Sequence, residues 1–117
     1  MNIPTDTPRI AELALDDRFA PYQKAAAEFR REHTAELARL VGGGRCGPGA
    51  ASMVASAALQ LGASRFYFDL AAETGEAELF DRASNFANDS SRSLLAAHEL
   101  CAREAKARPK KSADATS

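Results

Sequence analysis

Residues 50–73 read AASMVASAALQLGASRFYFDLAAE, and the phase of their apolar side chains decides the fold. Wound as a helix at about 100° per residue, Leu59, Phe66 and Leu70 fall in one stripe, and Val54, Leu61 and Phe68 fall in a second on the opposite side. A helix with two opposed apolar faces cannot cover both against a single neighbour. The pattern therefore predicts a rod about 36 Å long, sandwiched between two helices of its own chain or between its own bundle and another subunit.

Upstream, Gly42-Gly43-Gly44-Arg45-Cys46-Gly47-Pro48-Gly49 breaks the chain, because glycine loses backbone entropy in a helix and proline lacks the donor. Before the break, Tyr22, Ala26, Phe29, His33, Leu37 and Leu40 share one face of a helix predicted over 22–40; Lys24, Glu28, Arg31, Glu32 and Arg39 lie mostly off it. Thr7-Pro8 is a helix-start signal for a short helix over 8–16 carrying Ile10, Leu13 and Leu15, with Asp16, Asp17 and Pro21 ending it. Downstream, Thr74-Gly75 is a compact stop. A last helix over 76–107 keeps one phase from Leu79 through Phe80, Ala83, Phe86, Ala87, Leu94, Ala97, Cys101 and Ala105. Asn88-Asp89-Ser90-Ser91 is poor helix sequence and suits either a fresh cap at Ser90 or a bend in one long helix; the unslipped apolar phase favours one helix.

Short connections make these helices antiparallel neighbours. The expected fold is all-α, an antiparallel three-helix bundle with a short N-terminal helix. Residues 8–107 form the helical domain, between a disordered N-terminus at 1–7 and a disordered basic and polar tail at 108–117. By register, residue 91 lies level with 58 and 33, and residues 98–101 lie level with the glycine loop. The last turns of the C-terminal helix are expected to overhang. An overhanging apolar edge on a thin unit predicts a homo-oligomer, with Val54, Leu61, Phe68 and Leu94 as interface residues.

Composition agrees. The chain has 117 residues, enough for one domain; alanine exceeds a fifth of them and β-branched residues are few. With no tryptophan, the core rests on six phenylalanines, two tyrosines and the leucines. A net charge of −1, with both signs interspersed, argues against a strongly basic nucleic-acid module and a polybasic membrane binder. The first residues lack the basic start and apolar core of a signal peptide, and the most apolar segment, 50–72, contains Gln60, Arg65 and Asp69. A cytoplasmic protein without a membrane partner is expected. Two cysteines far apart make no disulfide framework, so a reducing compartment is the default.

His98 and Cys101 share a helix face, and the register brings Cys46 to the same end, a candidate set for zinc with water or a fourth ligand. His33 lies about 10 Å down the bundle. The competing reading is an edge histidine and a small buried apolar cysteine, and real zinc sites show close-spaced pairs at both ends. Cys46 beside Arg45 reads as a reactive thiol or as an exposed linker cysteine. The glycine loop lacks the lysine and the preceding strand of a phosphate-binding P-loop. Glu73, Glu76, Glu78 and Asp81 suit a helix start and a solvated face, and there is no Glu-x-x-His pair of the di-iron type. No catalytic constellation and no cofactor is expected. Arg103, Lys106, Arg108, Lys110 and Lys111 make a positive end, offset only by Glu104; Arg30, Arg31, Arg39 and Arg45 add to it if they face the same way. The bland reading is favourable charge at a helix C-terminus plus a soluble tail. The functional reading is sequence-independent contact with the phosphates of double-stranded DNA.

Over residues 22–107 the order of features resembles short terminase small subunits of tailed phages. An Arg-rich amphipathic helix (Phe29-Arg30-Arg31, Glu36-Leu37-Ala38) meets a glycine break at Gly42-Gly43. A second helix carries Ala57-Ala58-Leu59-Gln60-Leu61, and the final helix carries an Asn…Leu-Leu pattern at Asn88 and Leu94-Leu95. The resemblance implies a ring-forming, non-catalytic DNA-recognition subunit that brings viral DNA to a packaging motor. The expected function is thus a non-catalytic, oligomerising helical adaptor. The alternatives are an accessory subunit docking on a larger protein and a small metal- or thiol-dependent enzyme using Cys46, His98 and Cys101.

Overall fold

The structure, a computed structural model, describes Leu13 and residues 16–109. The short helix expected over 8–16 lies outside the described residues apart from Leu13 and Asp16, as do residues 1–7 and most of the tail with Lys110 and Lys111. A single 3-10 turn, Asp17–Phe19, leads into α1 (Ala20–Leu40), which is followed by α2 (Pro48–Thr74) and α3 (Ala77–Ala107). The fold is an all-α helical bundle, with no strand among the described residues. None of its described helices is long and apolar enough to cross a membrane.

Helix boundaries follow local chemistry. Pro21 sits in the first turn of α1, where its missing N–H is no loss, so it opens this helix instead of merely ending the one before. Pro48 does the same for α2. Gly75 closes α2 in the left-handed conformation (φ 75°), its N–H donating to Ala71 O at 2.7 Å. Residues 88–91 lie inside an unbroken α3.

The helices run antiparallel in register. Across α2 and α3, Ser64 Oγ donates to Ala83 O and Ser90 Oγ donates to Ala57 O, both at 2.7 Å. Ser93 Oγ and the Gln60 amide lie 2.8 Å apart. Serine is thus tolerated in mid-helix because its hydroxyl bonds the neighbouring helix. Across α1 and α2, Tyr22 Oη donates to the Asp69 carboxylate, and a Cβ at Gly62 would stand 3.2 Å from Tyr22 O. α2 is the middle helix: α1 packs on it and α3 packs on it, while α1 and α3 barely meet.

The buried residues of α2 correct the two-stripe expectation. They are Ala50, Val54, Ala57, Ala58, Gly62, Ala63, Ser64, Phe66, Tyr67 and Ala71, mostly small. Small residues let the backbones approach closely and displace the larger side chains to the edges. Of the first stripe, Phe66 is buried but Leu59 is exposed. Of the second, Val54 is wholly buried, Leu61 is half-buried and Phe68 is 56 % exposed. The large rings gather at one end, where Leu13, Phe19, Phe66, Tyr67 and Leu79 form a cluster. Phe19 and Tyr22 each set an edge against Phe66, with centroids 5.5 and 5.6 Å away, and Tyr67 stacks on Phe86. At the other end Leu37, Ala50, Val54, Ala97 and Cys101 form a second cluster beneath the glycine loop.

Candidate functional site

The glycine loop is shaped by what lies under it. The C-terminus of α1 closes with Val41 N and Gly42 N both donating to Leu37 O, at 2.9 and 2.8 Å, and Gly44 N donating to Ala38 O. Gly43 and Gly44 turn the chain at positive φ (66° and 100°), which glycine adopts without steric cost. Gly42 has no room for a side chain: a Cβ there would lie 2.1 Å from Arg45 O and 2.9 Å from Cys101 Sγ. The loop therefore folds back on itself and presses on α3.

The α2 N-terminus meets α3 in the same place. Its cap residue, Gly47, offers no side-chain acceptor. Glu104 of α3 supplies one, accepting from Gly49 N at 3.0 Å and from Ala50 N at 3.2 Å. The carboxylate thus satisfies two orphan donors and faces the positive end of the helix dipole. The last turns of α3 do not overhang, contrary to expectation, because Glu104 is tied to α2 and Arg108 Nη2 donates to Arg45 O at 3.1 Å. In sequence Glu104 reads only as a charge offsetting its basic neighbours. The signal for its role is indirect: a helix that starts Gly47-Pro48-Gly49 needs an acceptor from elsewhere.

Cys46 is half-buried on the second core cluster, and Cys101 is fully buried within it. Cys101 Sγ points to Leu37 O, 3.7 Å away. Burial, then the neighbouring Cys101 thiol and the Glu104 carboxylate, push the Cys46 thiol above its ordinary value, with Arg108 opposing. Cys46 is therefore not an exposed linker cysteine, and its surroundings favour the protonated thiol. His98 does not join the pair. It is exposed and lines a different groove, with His33, Glu36, Leu37, Leu40, Val41 and Leu94. Among the described residues no group of three His, Cys, Asp or Glu side chains is placed to hold a metal ion.

The basic candidates divide. Arg30, Arg31 and Arg45 line one open groove of about 530 Å³, together with Thr34, Ala38 and Cys46. All three arginines are exposed, and among the described residues no carboxylate forms an ion pair with them. Arg39 stands apart, paired with Glu36 one turn back at 3.7 Å. Arg103 and Lys106 are exposed on α3, and Arg108 is held against the loop.

The interface candidates also divide. Val54 is shut inside its own chain and is unavailable to a partner. Leu61 lines a small cleft beside Tyr22 and Arg65. Phe68 stays exposed, edge-on to exposed Phe80 with centroids 5.5 Å apart. Leu94 lines the groove of about 140 Å³ between α1 and α3 with Leu37, Leu40 and Val41. Leu40 and Leu95 are the most exposed large apolar residues, at 63 % and 65 %, and neither stood among the expected contacts. Periodicity assigned Leu40 to a buried face, but α1 ends there and α3 does not close over it. No protein-family model, no curated protein and no solved structure matches this chain.

Proposed function

We propose that this protein is a non-catalytic helical adaptor that associates with further copies of itself and presents an arginine-lined groove to double-stranded DNA. This is the kind of role implied by its resemblance to phage terminase small subunits, in a reducing cytoplasmic setting. One observation carries the reading: the groove between α1 and α3, floored by Leu37, Val41 and Leu94 and rimmed by exposed Leu40, has no cover within the described chain. Exposed apolar surface of this kind favours association. A net charge of −1 leaves little long-range repulsion between copies. The cluster of Arg30, Arg31 and Arg45 supports the DNA half, because unpaired guanidinium groups are ready phosphate partners.

Sedimentation of the purified chain, alone and with duplex DNA at two salt concentrations, tests both halves. The expected result is a multimer that Leu40→Glu dissociates. DNA binding should weaken steeply with salt and be lost in the double variant Arg30→Glu with Arg31→Glu. A chain that remains a monomer at every concentration refutes self-assembly and turns the groove over to a larger protein partner. Binding that ignores salt refutes phosphate recognition.

A further inference from the structure

The glycine loop packs Cys46 on the cluster that holds Cys101, near enough for the two thiols to interact, although 54 residues lie between them in sequence. Three placements make the contact. Gly42 stands so close to Cys101 that a Cβ would lie 2.9 Å from its sulfur. The loop then doubles back, bringing Arg45 O within 2.1 Å of that same Cβ position. Cys46 follows directly and packs on the cluster that contains Cys101. The two thiols differ in access, since Cys46 is half-exposed on the wall of the arginine groove and Cys101 is wholly buried.

We infer that Cys46 and Cys101 form a redox modification site, a dithiol that closes to an intramolecular disulfide when a peroxide reaches the groove. Cys46 gives up its proton as it reacts; its sulfur attacks one peroxide oxygen, breaks the O–O bond and becomes a sulfenic acid, and that proton joins the displaced hydroxide to leave as water, a slow step because the surroundings favour the thiol. Cys101 sulfur then attacks the Cys46 sulfur, expels a second water and completes the S–S bond. The two thiols lose two electrons and two protons in all, and one hydrogen peroxide is reduced to two waters. The bond ties the α1–α2 loop to α3, so it fixes the segment that presents Arg45. The site is independent of the proposed function: it needs neither DNA nor a second copy.

The test treats the full native chain with hydrogen peroxide, then unfolds it in denaturant so that buried Cys101 is reached, and follows intact mass and alkylation by N-ethylmaleimide. The expected product has lost two hydrogens, takes up no maleimide until reduced, and yields one cross-linked peptide pair containing Cys46 and Cys101. Its melting temperature rises by roughly ten degrees over the reduced chain, because the cross-link restricts a long loop in the unfolded state. Cys46→Ser, at the half-exposed position, abolishes the product and leaves Cys101 as a lone thiol. Either of two results overturns the inference: both cysteines remain fully alkylatable after peroxide, or the only disulfide found joins two chains.

Discussion

The cap that Glu104 places on α2 makes a quantitative prediction, because the same atoms are touched from two sides. Glu104→Ala removes a carboxylate that accepts from Gly49 N and Ala50 N. Losing a cap costs about 1–2 kcal/mol, and losing a carboxylate at a helix start about 0.5 kcal/mol more. The variant should therefore be about 2 kcal/mol less stable, roughly 10 °C in melting temperature for a domain of this size. Gly47→Ala reaches the same loss by another route. Its backbone (φ −69°, ψ 168°) suits alanine, but the new methyl would lie 2.4 Å from Glu104 Oε1 and 2.7 Å from Cδ. The flexible side chain must swing away, and the cap goes with it. Alanine also stiffens the unfolded chain, which returns about 0.5 kcal/mol. In the double variant the carboxylate is already gone and only the β-carbon at position 104, 3.2 Å from the new methyl, must give a little, so the cost is about 1.5 kcal/mol, where simple addition gives about 3.5 kcal/mol. Urea denaturation followed by far-ultraviolet circular dichroism, at one fixed protein concentration, measures all four corners of this cycle. Losses that add to within about 0.4 kcal/mol would show that Glu104 is not the cap.

Tyr22 predicts a pH dependence at the other end of the bundle. Its hydrogen bond to Asp69, with burial second, pushes the phenol from near 10 up to about 12. A raised folded value means that the contribution is complete below about pH 10 and is lost as pH climbs through about 12. Tyr22→Phe should flatten the fall in stability over that window, and identical alkaline profiles for the two proteins would refute the bond. Gly62 predicts a change of sign with side-chain size. Alanine there meets Tyr22 O at 3.2 Å but gains helix propensity of up to about 1 kcal/mol, so Gly62→Ala should be close to neutral. Gly62→Leu must pry α1 from α2 and cost about 2 kcal/mol or more by denaturant unfolding. Equal stability of the alanine and leucine variants would mean that the helices do not approach closely there.

Much of the fold was legible because helix boundaries are local chemistry. Gly75, Pro48 and the glycine run act through their own backbones, and the unslipped phase across Asn88-Asp89-Ser90-Ser91 correctly outweighed poor propensity. The core was less legible. Large apolar residues mark a stripe, but Ala57, Ala58, Gly62, Ala63 and Ser64 decide which faces meet, because closeness of approach falls with side-chain size. Periodicity thus places Val54 on an interface stripe and Leu40 on a buried face, yet Val54 is wholly buried in its own chain and Leu40 is exposed. The site was legible only in part. Arg30, Arg31 and Arg45 read as basic residues without a direction, and the fold of the loop supplies the direction. Cys46 and Cys101 were expected at one end from register alone, whereas His98 turns away by the rotation of α3, which register does not fix. Glu104 was invisible as a cap because its partners lie on another helix.

The two ends of the bundle are built on opposite principles, and that contrast bears on where recognition sits. At the aromatic end Phe19, Tyr22, Phe66, Tyr67 and Phe86 interlock edge to face and face to face. Opening it exposes several rings at once, each carrying a large buried area. At the loop end the buried side chains are Leu37, Ala50, Val54, Ala97 and Cys101, none larger than leucine. Order there depends on shared polar contacts: Leu37 O accepts from Val41 N, Gly42 N and the Cys101 thiol, and Glu104 serves two amides. Such contacts are individually small, and each shares an atom with the next, so losing one loosens the rest. Local opening is therefore cheapest at this end. The arginine groove, the uncovered Leu40 and the cysteine pair all lie here as well. Any partner that binds the closed loop and not the opened one must stabilise the bundle at this end in proportion to its affinity. Coupling of that kind requires the loop and the third helix to touch, and Gly42 against Cys101, with Gly47 against Glu104, is where they do.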